Sequence, residues 1–142
     1  MRKKSKGKLK VNSQNKNNRF VAEEPPDYNK MVPIFSLERV QAGDYCFSKL
    51  DLNDKAAFAE SIFKRKSITW NEIQQNNRHG LGHEKIAISS IKASIPKYIT
   101  EDQRNLLAFR FNGMKPMVGY RINNIFYVLW FDHNFSVYDH GS

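Results

Sequence analysis

The chain has 142 residues, room for one ordinary domain, and a net charge of +9 at neutral pH. Its lone cysteine, Cys46, excludes an intramolecular disulfide and fits a reducing cytosol. No apolar run approaches the roughly 20 residues that span a bilayer, and no apolar stretch follows the basic start as a secretory signal requires, so a soluble cytoplasmic protein is expected.

The charge is unevenly spread. Residues 1–20 hold eight lysines and arginines, among them Lys3, Lys4, Lys6, Lys8 and Lys10, and no acid; residues 21–142 hold 15 basic against 14 acidic side chains. A segment so polar cannot bury enough surface to offset its ordering entropy, which predicts a disordered lysine-rich tail and linker over residues 1–30. Such a tail attracts phosphate backbones regardless of sequence, and it serves equally well as a plain solubilising extension. The linker ends near Glu23-Glu24-Pro25-Pro26-Asp27, where two prolines disfavour helix.

A single α+β domain is expected over residues 31–142. Asp44 to Leu50 reads as a short strand, with Cys46 packed inside it. Asn53 caps a helix running to about Arg65, whose Ala56, Phe58, Ala59, Ile62 and Phe63 recur at helical spacing. Thr69 and Glu72 stand in capping-box register at the start of a second helix, ending by Asn77. Arg78 to Lys85, with two glycines, reads as a loop. Ile86, Ile88, Ile91 and Ile95 suggest one extended, bulged segment stopped by Pro96. Leu106 to Phe111 and Met117 to Ile122 alternate as strands, and Asn123-Asn124 forms a two-residue hairpin turn because asparagine tolerates positive φ. From Phe126 to Phe131 both faces are apolar, as in a central strand buried on two sides. Phe135 to Tyr138 closes the chain as a last short strand. Trp70 and Trp130 fall in apolar-periodic segments and read as core. The sum is a small antiparallel twisted sheet with two helices packed on one face.

The order strand, helix, helix, antiparallel strands, together with the closing segment Gly119-Tyr120-Arg121-Ile122-Asn123-Asn124-Ile125-Phe126-Tyr127-Val128-Leu129-Trp130, resembles the RelE/ParE-like toxin superfamily of bacterial toxin–antitoxin systems. The resemblance covers roughly residues 44–142. In that family the corresponding hairpin often carries an arginine on one strand, and the chain ends close to a catalytic tyrosine or histidine, as Tyr138 and His140 do here. The long basic tail and the extra loop from Arg78 to Lys85 depart from the shortest members. The resemblance implies an endoribonuclease that cleaves mRNA without a metal or other cofactor, free or on the ribosome, and a cognate antitoxin as partner.

RNA cleavage of this kind needs a group to take the 2′-hydroxyl proton, a group to protonate the leaving 5′-oxygen, and cations for the charge on phosphorus. Arg110 and Arg121 each stand between apolar neighbours on predicted strands, so both are expected to project from the solvent face, where an arginine fork suits a phosphate. His140 and Tyr138, two residues apart, would share a face of a continuing strand; with Lys85 and Arg121 they are the expected catalytic set, and His133 is a weaker companion in a turn. His83 and the glycines of its loop would approach nucleic acid. His79 and His83, four apart, lack a helix and further ligands, so no metal site is expected. Two readings from other classes stand beside this one: a non-catalytic nucleic-acid or ribosome-binding module that works through its tail, and a ParE-like inhibitor of DNA gyrase.

Overall fold

The computed structural model describes residues 24–78 and 80–140. The lysines of the predicted tail, Lys3, Lys4, Lys6, Lys8 and Lys10, and His79 of the loop lie outside the described residues. Contacts of the domain reach back to Asp27, whose side chain caps a 3-10 turn at Tyr28–Lys30.

The fold is α+β, with five strands and two helices. After β1 (Ile34–Ser36) come α1 (Leu52–Lys64) and α2 (Trp70–Gln75), then β2 (His83–Ala87), β3 (Asn105–Asn112), β4 (Lys115–Ile122) and β5 (Ile125–Phe131). The spatial order is β1-β5-β4-β3-β2. All neighbours are antiparallel except β1 and β5, which run parallel. The sheet is therefore mixed rather than wholly antiparallel.

The helices begin where their caps dictate. Thr69 and Glu72 form the expected capping box on α2. On α1 the cap is Asp51, which accepts from the Asp54 amide at 2.7 Å, rather than Asn53. Both helices pack on one face of the sheet. Trp70 and Ile73 from α2 and Phe58 and Ile62 from α1 meet Phe109, Phe111, Met117, Phe126, Val128 and Phe131. Arg65, just past α1, lies buried over the Phe109 ring and donates to the carbonyls of Leu81 (2.9 Å) and Ser61 (3.1 Å). Burial pushes its pKa down to about 10, so these carbonyls are what make an interior guanidinium tolerable.

The other face is covered as well. Ile88, Ile91, Ala93, Ile95 and Ile99 lie with Tyr138 against Leu106, Ala108, Val118, Leu129 and Trp130. The isoleucine-bearing stretch is not one strand: β2 stops at Ala87, a 3-10 turn spans Ile88–Ser90, and Ile91 makes a lone bridge to Tyr138. The last strand expected at Phe135 to Tyr138 reduces to that bridge. Nor do Asp44 to Leu50 form a strand. They turn, with a 3-10 turn at Phe47–Lys49, because Phe47 swings in against Phe58 and Phe131 and Tyr45 offers its carbonyl to the Phe131 amide. Cys46 is accordingly only half-buried.

The double-sided β5 is an interior strand, although β4 occupies the middle place. Its alternation breaks at a bulge: Gly119 pairs with Val128 and Val118 with Trp130, leaving Leu129 as the extra residue. Phe126, Val128 and Phe131 thus face the helices, whereas Leu129 and Trp130 both enter the opposite layer. The predicted hairpin turn is present, with Asn123 at φ 58°. The Asn124 carbonyl accepts from the Ile34 amide and from Trp70 Nε1, tying β1 and α2 to the turn. No helix among the described residues is long and apolar enough to cross a membrane.

Candidate active site at the carboxyl end

Pairing decides which side chains meet. On β2, Glu84 and Ile86 share the face of Ala108 and Leu106, while His83 and Lys85 point to the helix side. On β3, Phe109 and Phe111 join the helix-side core, so Arg110 between them turns to the opposite face. There Arg110 is buried and its Nη2 lies 3.2 Å from Glu84 Oε1. Arg78 holds the other oxygen of Glu84 at 3.1 Å.

The end of the chain supplies the rest. Asp132, fully buried just after β5, takes the Ser136 amide on Oδ1 (2.7 Å) and the His140 Nε2 on Oδ2 (2.8 Å). The turn between them places Phe135 at φ 60°, a region uncommon for a bulky side chain, and sets its ring edge-on against His140. The His140 ring stacks on Tyr138 at 3.9 Å. Arg78, Glu84, Arg110, Met114, Phe135, Tyr138, Asp139 and His140 line a cavity of about 210 Å³.

Three buried polar atoms in this cluster have no hydrogen-bond partner: Nε and Nη1 of Arg110 and the Tyr138 hydroxyl. Burial, helped by the negative charge of Glu84, pushes the Tyr138 phenol up to about 12, while the Arg110 guanidinium beside the hydroxyl pulls its pKa down in part. It therefore stays protonated and able to donate at neutral pH. Buried donors without partners cost stability, and in a lined cavity they are the groups a ligand oxyanion would satisfy. Since its hydroxyl is unmatched in the folded protein, Tyr138→Phe should leave stability unchanged or raise it by about 1 kcal/mol. An unfolded tyrosine ionises near pH 10, while the folded one resists to about 12. Wild-type stability should therefore fall as pH rises above 10, and the Phe variant should lose that part of the slope. Urea melts at pH 7 and pH 11 check both statements.

Of the residues picked from sequence, Arg110, Tyr138 and His140 converge here; Glu84, Arg78 and Asp132 were missed. The remaining candidates lie elsewhere. Arg121 does not project from a free sheet face beside Arg110: it lies on the opposite side, 4.1 Å over the Trp70 ring, donating to Asn29 Oδ1 (2.7 Å) and the Asn123 carbonyl (2.5 Å). Burial lowers its pKa. Lys85 is exposed on the helix side of β2, the wrong face for this cavity. His83 belongs to that strand and not to a loop; it packs against Trp70 and Phe109, and burial depresses its pKa. His133 points away, its Nε2 at 2.9 Å from the Asp44 carbonyl. Among the described residues, no three His, Cys, Asp or Glu side chains gather as a metal-binding group. Compared with protein-family models, curated proteins and solved structures, the chain finds no match.

Proposed function

We propose that this protein is a RelE-like toxin, an endoribonuclease that cleaves mRNA in the Arg110–Tyr138–His140 cavity. One observation carries the reading: a His–Asp pair stands beside a buried arginine and a tyrosine hydroxyl whose polar atoms are unmatched. Two helices followed by an antiparallel run of strands, β2 to β5, agree with the order from which the resemblance was drawn, whereas the strand expected at Asp44 to Leu50 is a turn. The resemblance also makes a cognate antitoxin the expected partner.

The cavity's groups divide the work of phosphodiester transfer. Arg110, whose Nε and Nη1 have no other partner, is the cation that stabilises the charge on phosphorus. His140, held at Nε2 by Asp132, takes the 2′-hydroxyl proton at Nδ1, and the carboxylate stabilises the imidazolium that forms. The 2′-oxygen bonds to phosphorus as the bond from phosphorus to the 5′-oxygen breaks, and Tyr138 protonates the leaving oxygen. The products are a 2′,3′-cyclic phosphate and a 5′-hydroxyl end. Return of the proton from His140 to Tyr138, which it stacks upon, resets the site.

Inducible expression in a bacterial host, with growth and a reporter mRNA followed by primer extension, tests this. Arrest with new mRNA ends is expected, abolished by Arg110→Ala and retained by Arg121→Ala, which removes contacts to Asn29, the Asn123 carbonyl and the Trp70 ring on the other side of the sheet. Normal growth with intact mRNA would transfer the weight to a binding module. Replication arrest with intact mRNA would favour a gyrase inhibitor.

A further inference from the structure

We propose that residues 91–98 form a track for the single-stranded RNA flanking the cleaved phosphate, ending in a base-stacking platform of Tyr98 and Arg39. The proposal rests on reading the cavity as an RNA site. It arises from a segment whose inward side packs on the sheet and whose outward side carries Lys92, Lys97 and Tyr98, the last accepting from Gln41 Nε2 at 3.2 Å.

The segment starts at the cavity and leaves it. Ile91 bridges to Tyr138, and the Lys92 amide donates to the Val137 carbonyl at 2.7 Å. Ile91, Ala93, Ile95 and Ile99 face the sheet core, which turns Lys92, Ser94, Lys97 and Tyr98 outward. Residues 86–100 contain these two lysines and no acid; Glu101 and Asp102 end the basic stretch. One exposed cation therefore stands at each end of a short extended path, as tracking a phosphate backbone requires.

At the far end is a cluster with the groups a nucleobase stacks upon. Tyr98 is half-exposed (51%). Its ring stands 6.4 Å from that of Tyr120, which stacks in turn on Tyr127. The Arg39 guanidinium lies 4.0 Å over the Tyr127 ring and 5.8 Å from the Tyr98 ring, and it donates to the Tyr120 hydroxyl. No carboxylate of the described residues forms an ion pair with it. An arginine set among aromatic rings, with Glu38 near enough to act on its charge but in no ion pair with it, presents charge beside stacking surfaces to a ligand.

The spacing suits the purpose. Tyr120 and Pro116, the partner of Arg110, are four residues apart on β4, about 13 Å at strand rise. A few nucleotides of extended single strand bridge that gap, with bases free to stack at the platform and phosphates near Lys97 and Lys92.

Binding of uncleavable 2′-O-methyl RNA, from dinucleotide to octanucleotide, to the full-length chain tests the track by fluorescence anisotropy. The basic tail is common to all variants and cancels from the comparison. Wild type should bind the octanucleotide more tightly than the dinucleotide. The Lys92→Gln/Lys97→Gln/Tyr98→Ala variant should lose about tenfold or more of that advantage, within what stacking of one base contributes. Its salt dependence should become shallower by about 0.7 per lysine removed. Tyr98→Phe should restore the stacking share. All three substituted side chains are exposed, so folding should survive, and a thermal melt establishes that it does. An unchanged length advantage and salt slope in the folded triple variant would overturn the track. Cleavage of a dinucleotide in the absence of any length gain would retain the cavity reading and reject this one; a track-dependent length gain without cleavage of any RNA would do the reverse.

Discussion

Replacing His140 by glutamine is expected to lower RNA cleavage by about 10²–10⁴-fold, the usual contribution of a positioned acid or base, with the fold preserved. Glutamine is chosen over alanine for a physical reason. Asp132 is fully buried and has His140 Nε2 on one oxygen; stripping that donor would leave a buried carboxylate oxygen unmatched, at about 1–3 kcal/mol. The glutamine amide can donate to Asp132 but cannot accept the 2′-hydroxyl proton. Single-turnover cleavage rates with a thermal melt separate the two effects. Rapid cleavage by a folded His140→Gln protein would remove the histidine from the mechanism and leave Arg110 and Tyr138 as a binding site alone.

The largest stability effect is expected at Gly119. It sits at the bulge where β4 and β5 lose step, and a Cβ there would run into the Tyr127 carbonyl oxygen and carbon and the Val128 Cα. These are backbone atoms in an interior strand, so no side-chain rotation relieves the clash. Gly119→Ala should cost about 3 kcal/mol or more, placing it among the severe single substitutions. Gly113 supplies the contrast: its φ is +59° but a Cβ there meets nothing within 4 Å. Gly113→Ala should cost only the left-handed backbone penalty of about 1–2 kcal/mol. Urea midpoints at constant slope distinguish them. Equal, small shifts at both positions would show that the bulge can relax.

Much of the local structure was legible in the residues. The Thr69–Glu72 capping box, the Asn123–Asn124 turn, the strand content around Leu106 to Phe131 and the two buried tryptophans are set by neighbours a few positions away. Asp51 rather than Asn53 caps α1 by the same local chemistry, with the choice between two good caps decided by where the chain enters the helix. The three-residue β1 was not legible, because so short a strand shows no alternation and is defined by its parallel partner β5. The two arginines show the limit more sharply. Arg110 and Arg121 look alike in sequence, each between apolar residues on a strand, yet both sheet faces are covered, so alternation does not point either of them to solvent. One closes the cavity beside Tyr138; the other clamps the turn before β1 through Asn29.

The sequence by itself determined the α+β class, the capping-box start of α2 and the closing hairpin, because capping, periodicity and turn chemistry act over a few bonds. Only the tertiary structure decided that Arg110, Tyr138 and His140 meet, that Glu84, Arg78 and Asp132 join them, and that Arg121, Lys85 and His83 do not. Which face a strand residue occupies is settled by pairing register, by one bulge and by what covers each layer, and these are contacts between residues far apart in the chain.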